Sequence, residues 1–343
     1  MTHPLELGLD TFGDVTADAN GRLTPQAQVI RDLIDEAVLA DQTGVDFFGV
    51  GEHHRADFAV SAPEIVMAAI AARTSRIRIG TAVTVLSSDD PVRLFQRLAT
   101  LDAISDGRAE LILGRGSFTE SFPLFGYDLQ DYNTLFEEKL DLFTQLLRRE
   151  KVTWKGTLRA SLNQQTVYPR PQSSALTTWI GVGGSPESVV RAVAHELPML
   201  LAIIGGDPRR FHPYVDLYHR AWAQSGKPSL PVGVHSPGCV AATDLAAREA
   251  YWPGFRQLRN KIGAERGWPP IQPDEFEREI SHGSLYIGAP ETVARKIVRT
   301  VQMLGLQRFQ MKYSGGPMQQ HQMMTSIRLY GERVIPMVRD MLG

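Results

Sequence analysis

The sequence predicts an α/β protein built as a closed (β/α)8 barrel, and three observations support that prediction. Short apolar runs alternate along the chain with longer stretches of helical periodicity, which indicates a parallel sheet. There are about eight such runs, and 343 residues suit one barrel with insertions. No G-x-G-x-x-G motif follows the first strand, where residues 9–13 read LDTFG, so an open dinucleotide-binding sheet is the weaker alternative.

The predicted strands are short runs rich in apolar and β-branched residues, and the helices between them begin at cap signals such as Asp90-Pro91. The strands are predicted at 5–9, 45–50, 77–86, 108–113, 177–182, 198–203, 231–241 and 307–312. The helices are predicted at 28–41, 61–74, 90–104 and 132–149, and from residues 186, 207, 244, 290 and 320 onward.

Two segments do not fit the alternation of strand and helix. Residues 151–167, centred on Lys155-Gly156, have the pattern of a β-hairpin and follow the helix after the fourth strand. Residues 254–282, after the seventh strand, are rich in charge and proline and are predicted to form an insertion. The whole chain, residues 1–343, is predicted to be one domain.

Composition argues against several classes of partner. The chain has 36 basic and 38 acidic residues and a net charge of -2, which disfavours nucleic acid and membrane surfaces. There is no apolar run of about 18 residues and no signal-peptide pattern. The lone cysteine, Cys239, is expected to be a small buried residue in a reducing compartment. We therefore expect a cytoplasmic protein.

Catalytic side chains of a (β/α)8 barrel lie at the C-terminal ends of its strands, and the first two candidates stand at such ends. Gly51-Glu52-His53-His54 directly follows the second strand, and these residue types suit proton transfer or metal binding. Adjacent histidines on an extended chain point in opposite directions, so they rarely hold one ion together. Gly80-Thr81-Ala82-Val83 lies in the third strand, where small residues let a flat ligand approach the backbone. Ordinary packing is the alternative at both places.

Two further strand ends suit a phosphate. Gly114-Arg115-Gly116-Ser117 follows the fourth strand, and the planar guanidinium of Arg115 can donate two hydrogen bonds at once. Residues 183–188, GGSPES, leave the fifth strand and open a helix whose free N–H groups attract anions. A surface arginine and a plain helix cap are the alternatives. Together the two ends are placed to neutralise a dianion from two sides.

These four sites, in this order, resemble the luciferase-like monooxygenase family. The resemblance runs nearly end to end and includes GEHH, the stretch IRIGTAVTVLSSDDPVRLFQRLATLDAISDGRAELILGRGS, WIGVGGSPESVVRAV and IGAPETVARKI. It implies a (β/α)8 barrel that uses flavin mononucleotide (FMN) or the deazaflavin F420. In flavin members a partner reductase supplies the reduced flavin, which reacts with oxygen and a small organic substrate.

The resemblance also implies roles for individual residues. His53 would face the flavin and assist proton transfer, with His54 as a more structural neighbour. Ala82 and Val83 fall where many members have a non-proline cis peptide against the isoalloxazine ring, and Arg115 matches the phosphate-binding arginine. The residues expected to contact the cofactor are Thr81, Ala82, Val83, Arg115, Gly116, Ser117, Gly183, Gly184, Ser185 and Ser188.

An FMN-dependent monooxygenase is therefore the leading interpretation, and an F420-dependent dehydrogenase, which transfers hydride without oxygen, is its nearest rival. Gly114 stands where true luciferase has a reactive cysteine, which argues against aldehyde chemistry and light emission. A metal-dependent hydrolase that uses the residues at 52–54 and a non-catalytic flavin-binding protein are further alternatives. We expect no metal.

The resemblance further implies a homodimer through the helices after the second and third strands, and a mobile lid at 254–282. Four phenylalanines lie near the predicted rim loops, which makes an apolar or aromatic organic substrate a reasonable expectation, although they equally suit packing of the barrel mouth. They are Phe12, Phe58, Phe118 and Phe122.

Overall fold

The computed structural model describes residues 5–172 and 176–343, and the strands in these residues include a closed parallel barrel. The strands are β1 (Glu6–Thr11), β2 (Phe47–Val50), β3 (Arg78–Thr81), β4 (Thr84–Val85), β5 (Ala109–Gly114), β6 (Lys151–Trp154), β7 (Leu162–Thr166), β8 (Thr177–Val182), β9 (Met199–Ala202), β10 (Val232–Val240), β11 (Tyr286–Gly288) and β12 (Arg308–Lys312). The barrel runs β1-β2-β3-β5-β8-β9-β10-β12 and closes where β12 pairs with β1. The predicted (β/α)8 barrel is confirmed. The single-domain prediction for residues 1–343 includes residues 1–4 and 173–175, which lie outside the described residues, and it stays a prediction.

Helices surround this barrel, and several of them begin at side-chain caps. Asp90 accepts hydrogen bonds from the N–H groups of Val92 and Arg93, and Thr243 accepts one from Ala246. In the described part of the chain, no helix has both the length and the apolar character that a bilayer span needs. The helices are α1 (Gln26–Gln42), α2 (Pro63–Ala71), α3 (Pro91–Ile104), α4 (Ser121–Phe125), α5 (Tyr132–Arg148), α6 (Pro186–Ala194), α7 (His212–Ser225), α8 (Asp244–Arg266), α9 (Pro273–Ser281), α10 (Pro290–Leu304), α11 (Gln320–Leu329) and α12 (Ile335–Leu342).

The third barrel strand is not continuous. The prediction of one strand over residues 77–86 is wrong, because β3 ends at Thr81 and the peptide bond between Ala82 and Val83 is cis. The chain then resumes as β4, in which Thr84 pairs with Leu113 of β5. The interruption places Ala82 and Val83 at the mouth of the barrel.

The insertions have the predicted positions but not all of the predicted boundaries. Strands β6 and β7 pair antiparallel, which confirms the hairpin. The helix after β10 does not end at residue 254: α8 continues through Pro253 to Arg266, because a proline removes only one hydrogen bond of its ladder. The short strand β11 pairs with the end of β10 outside the barrel, and the sequence did not predict it. Cys239 of β10 is 1% exposed, and burial raises the pKa of its thiol to about 12, as expected of a packing residue.

The N-terminal end of the barrel interior is filled. Phe47, Ile112, Trp179 and Leu200 form an apolar cluster there. The guanidinium of Arg308, 1% exposed, lies 4.3 Å from the centre of the Trp179 ring. The interior of the barrel is therefore closed at this end, and the loops after the strands meet at the opposite, C-terminal end.

Arg308 belongs to a network of ion pairs below this cluster. It donates to Glu110 at 2.8 Å and to Glu6 at 2.7 Å, and Arg78 pairs with both carboxylates from the other side. Glu110 is almost fully buried, while the side chain of Glu6 is 30% exposed. Since buried charges are costly without partners, the network depends most on Glu110.

Glu110→Gln should lower the free energy of unfolding by about 3 kcal/mol, because the buried guanidinium of Arg308 loses its buried counter-charge. The matched variant Glu6→Gln removes a partner that solvent already screens, so its expected cost is about 1 kcal/mol or less. Urea unfolding of both variants measures the difference. Equal losses in the two variants would contradict this account of the barrel floor.

Candidate active site

The four predicted strand ends lie side by side on one rim. They follow β2, β3, β5 and β8, which are consecutive neighbours in the barrel. A hydrogen bond of 3.5 Å from Arg115 Nη2 to Ser188 Oγ joins the last two of these ends directly. The rim therefore forms one continuous surface from His53 to the start of α6.

His53 lies in an apolar cage. The centre of its ring is 4.7 Å from that of Phe12, 4.5 Å from that of Phe58 and 5.0 Å from that of Phe118. Its Nε2 atom is buried and has no hydrogen-bond partner among the described residues. Burial lowers the pKa of the His53 imidazole to about 3, so the ring is neutral at neutral pH. A buried, unpaired nitrogen is costly unless a ligand supplies its partner.

His54 points away from this cage. Its Nε2 lies 2.8 Å from Glu52 Oε1, and the other oxygen of Glu52 accepts a hydrogen bond from the Val85 N–H at 3.1 Å. His54 and Glu52 thus tie the loop after β2 to the resumed third strand. Over residues 5–172 and 176–343, no three histidine, cysteine or acidic side chains are arranged to hold a metal ion.

Arg115 and the start of α6 form a cationic cluster. Arg115 Nη1 donates to Asn133 Oδ1 at 3.2 Å, and no carboxylate of a described residue forms an ion pair with it. Ser185 caps α6 by accepting a hydrogen bond from the Ser188 N–H at 3.3 Å, and the two hydroxyls lie 2.9 Å apart. Arg191 adds a second guanidinium, 3.3 Å from Ser188 Oγ.

The space beside this cluster is open. A Cβ atom added at Gly183 would meet no atom within 4 Å, and Gly184 has a φ of +98°, which side chains rarely adopt. The positive end of a nine-residue helix, two hydroxyls and a guanidinium without a counter-charge therefore surround unfilled space. This donor set fits a phosphate dianion.

The wall between His53 and Arg115 is made by Ala82 and Val83. A Cβ added at Gly49 would lie 2.8 Å from the Cβ of Ala82, and one added at Gly114 would lie 2.5 Å from Val83 Cγ2. Only glycine leaves room for this segment on both neighbouring strands. These two close approaches fix the position of the segment at the barrel mouth.

Three other predicted residues have defined partners within the protein. The Thr81 hydroxyl donates to the Ile112 carbonyl and accepts from the Ile112 N–H, both at 3.0 Å. The Gly116 carbonyl accepts a hydrogen bond from the Tyr132 hydroxyl at 2.8 Å, and the Ser117 carbonyl accepts one from Arg266 at 3.0 Å. These contacts fix the shape of the rim. The cofactor contacts of all predicted site residues stay predictions.

The structure adds a pair that the sequence did not identify, Asp10 with His235. His235 Nδ1 lies 2.8 Å from Asp10 Oδ2. Phe12 stacks on His235, with ring centres 5.9 Å apart and planes 18° apart, and so touches both histidines of the mouth. Asp10 lies near the C-terminal end of β1, and this position was the available signal for the carboxylate. Side chains alternate between the two faces of a strand, so His235 lies on the same face of β10 as Gly233. This alternation was the available signal for the histidine.

The second half of α8 covers the loops that hold His53. Arg55 pairs with Glu120, and it pairs with Glu265 of α8 at 2.6 Å. Lys261 of α8 pairs with Asp57 at 2.6 Å. The predicted insertion is therefore tied to the loop that carries His53 at the barrel mouth.

Comparison with known proteins is consistent with this geometry. A family model described as luciferase-like monooxygenase matches residues 11–308. The chain is 25% identical to the protein y4vJ of Sinorhizobium fredii over 343 residues, covering 96% of this chain and 97% of that one. It is 31% identical to 4-hydroxyprotoasukamycin monooxygenase of Streptomyces nodosus subsp. asukaensis over 270 residues, covering 72% and 68%.

Solved structures share the fold at lower identity. Monooxygenase RslO1 from Streptomyces bottropensis has a TM-score of 0.84 at 22% identity, covering 97% of this chain and 99% of that one. The oxygenating constituent of 3,6-diketocamphane monooxygenase from Pseudomonas putida, in complex with FMN, has a TM-score of 0.77 at 18% identity. The match covers 97% of this chain and 98% of that one. The coenzyme F420 dependent tetrahydromethanopterin reductase from Methanopyrus kandleri has a TM-score of 0.72 at 18% identity. The match covers 97% of this chain and 99% of that one.

His53→Gln should flatten the acid side of the stability profile. The pKa of His53 is 6.5 in its unperturbed state and about 3 in the folded protein, so between these values the unfolded chain binds the extra proton. Stability is therefore lost as pH falls through this window, at about 1.4 kcal/mol per pH unit. From about pH 6 to about pH 4, the wild-type free energy of unfolding should fall about 2 kcal/mol more than that of the variant. The free energy of unfolding is measured with urea at each pH. If it falls equally in wild type and in His53→Gln, the cage does not hold a neutral imidazole.

Proposed function

Because the chain belongs to the luciferase-like monooxygenase family, we propose that it is an FMN-dependent monooxygenase acting on a small organic substrate, with reduced flavin supplied by a separate reductase. The observation that carries the proposal is the cluster of Arg115, Ser185 and Ser188 at the start of α6, whose donors fit the terminal phosphate of FMN. The names of its relatives add support, since 4-hydroxyprotoasukamycin monooxygenase and the FMN complex of 3,6-diketocamphane monooxygenase are both monooxygenases.

Each part of the site has a defined task in this proposal. Bound reduced FMN would supply the electrons with which oxygen is activated. Arg115 and the start of α6 bind the phosphate, and Ala82 and Val83 form the wall against which a planar ring rests. The neutral imidazole of His53 accepts or donates a proton at Nε2, the atom that has no protein partner. The cover formed by α8 keeps water from the reacting atoms.

An F420-dependent dehydrogenase is the second candidate. The specific observation in its favour is the similarity of the fold to an F420-dependent reductase over 97% of the chain. The same phosphate cluster suits either cofactor. The two reactions differ in their need for oxygen, because hydride transfer proceeds without it.

We also propose that the whole chain acts as one domain in a cytoplasmic homodimer, as the sequence predicted. The helices expected at that interface, α2 and α3, expose Ile65 to 72% and Ile104 to 51%, which supports an apolar contact. Sedimentation of the purified protein tests this expectation.

Arg115→Ala should weaken the binding of FMN by about 1.5–3 kcal/mol, or about 10- to 150-fold, because a charge-assisted contact to the phosphate is lost. Riboflavin has the same ring and ribityl chain but no phosphate, so its affinity should not change. The control variant is Arg73→Ala, which removes an exposed arginine paired with Asp35.

Anaerobic titrations with FMN, riboflavin and F420, in oxidised and reduced forms, measure these affinities. Equal weakening of FMN and riboflavin would show that Arg115 does not bind the phosphate. Preferred binding of F420, with substrate turnover that needs no oxygen, would replace the monooxygenase by the dehydrogenase. Failure of all three to bind would refute a flavin-type cofactor altogether.

A further inference from the structure

The pair formed by Asp10 and His235 has the arrangement of a general base. Asp10 is fully buried, while 8% of the His235 side chain is exposed. The pair joins β1 to β10 across β12, so it faces the interior of the barrel above the apolar cluster. A histidine oriented by a buried carboxylate is able to take a proton, because the carboxylate stabilises the imidazolium that forms.

The hydrogen bond within the pair fixes which group His235 presents. A carboxylate only accepts hydrogen bonds, so the 2.8 Å contact with Asp10 places the proton on Nδ1. In the neutral ring, Nε2 is then an acceptor, and no described residue donates a hydrogen bond to it. The group that His235 recognises is therefore a donor, such as a hydroxyl, rather than a carbonyl oxygen.

Gln310 supplies a second polar group beside this acceptor. It is the register partner of His235 on β12, which places the two backbones about 5 Å apart. Its side chain shares the interior face with those of Arg308 and Lys312, because side chains alternate along a strand. Gln310 is fully buried, and both polar atoms of its amide lack partners among the described residues. An amide N–H there is available to an oxygen atom that His235 deprotonates.

The surroundings of the pair are aromatic. Phe12 stacks on the imidazole of His235 and also contacts Phe58, with ring centres 6.1 Å apart. The rings of Phe58 and Phe118 are 6.2 Å apart on the other side of the mouth. Aromatic walls beside one polar acceptor favour a flat ligand that carries a single hydroxyl on a conjugated ring.

We propose that the substrate is a phenol, or another conjugated hydroxyl compound, and that His235 is the catalytic base that deprotonates it. The inference rests on the proposed monooxygenase function. In this step the substrate O–H bond breaks, the Nε2–H bond forms, and the electron pair stays on the substrate oxygen. Asp10 stabilises the imidazolium, and the Gln310 amide donates to the phenolate oxygen. The negative charge spreads into the ring, which makes its carbon atoms more reactive towards an electrophilic oxygen.

The probe is 4-nitrophenol, which absorbs visible light strongly only as the phenolate, and its control is the methyl ether 4-nitroanisole, which has no proton to give. Each is titrated into FMN-loaded and FMN-free protein at a pH where free 4-nitrophenol is mostly neutral. Wild type should bind the phenol about 10- to 100-fold more tightly than the ether. The bound phenol should show the phenolate band in difference spectra.

His235→Asn retains a donor to Asp10 but cannot take the proton. The tighter binding of 4-nitrophenol over 4-nitroanisole and the phenolate band should therefore both disappear, while the affinity for FMN is retained. Asp10→Asn, which leaves His235 in place, should lose the band as well and tests the pair independently if the first variant does not fold. The control is His212→Asn, a change at an exposed histidine of α7 that is paired with Asp216, and it should behave as wild type.

Wild type that binds the two probes equally, or binds neither, overturns the proposal, as does a phenolate band that persists in His235→Asn. The result is separable from the cofactor assignment. Normal FMN binding without a phenolate band refutes only the base. A phenolate band in protein that binds no FMN refutes the monooxygenase and leaves the Asp10–His235 base in place.

Discussion

The site depends on the space that Gly49 and Gly114 leave around Ala82 and Val83. A methyl group on either glycine would approach the wall segment to less than 3 Å, closer than non-bonded carbon atoms pack. The segment can therefore sit between β2 and β5 at the mouth. A side chain at position 114 would collide with Val83.

His53 and His235 both contact Phe12 at the mouth, and their surroundings differ. His53 is enclosed by phenylalanine rings, so burial stabilises the neutral imidazole and lowers its pKa to about 3. His235 Nδ1 lies 2.8 Å from the buried carboxylate of Asp10, which orients the imidazole ring. Phe12 contacts both rings and separates them. His53 thus has a ring nitrogen without a partner among the described residues, whereas one ring nitrogen of His235 is held by a carboxylate.

Much of the fold followed from the sequence, because strand runs, helix caps and strand ends are local signals. His53, Arg115 and Ser185 stand at such ends, and the structure places them on one rim. The Asp10–His235 pair was not predictable in the same way, since its members are 225 residues apart and meet only because the barrel closes. The strand over 286–288 was missed because three residues carry no periodicity. The extent of α8 was missed because a proline such as Pro253 usually indicates a helix boundary, whereas here the helix continues past it.

The two ends of the barrel are stabilised by different forces, and this difference bears on how a substrate reaches the site. The N-terminal end is closed by an apolar cluster and by Arg308, whose ion pairs are buried and costly to break. At the C-terminal end, α8 is tied to the rim by two ion pairs. Glu265 of α8 pairs with Arg55, and Lys261 of α8 pairs with Asp57. Each of these ion pairs has one partner that solvent reaches, Glu265 or Lys261, so solvent screens them more than the ion pairs of the barrel floor. The ties between the second half of α8 and the rim are therefore the weaker of the two sets of ion pairs, and the barrel floor does not depend on them.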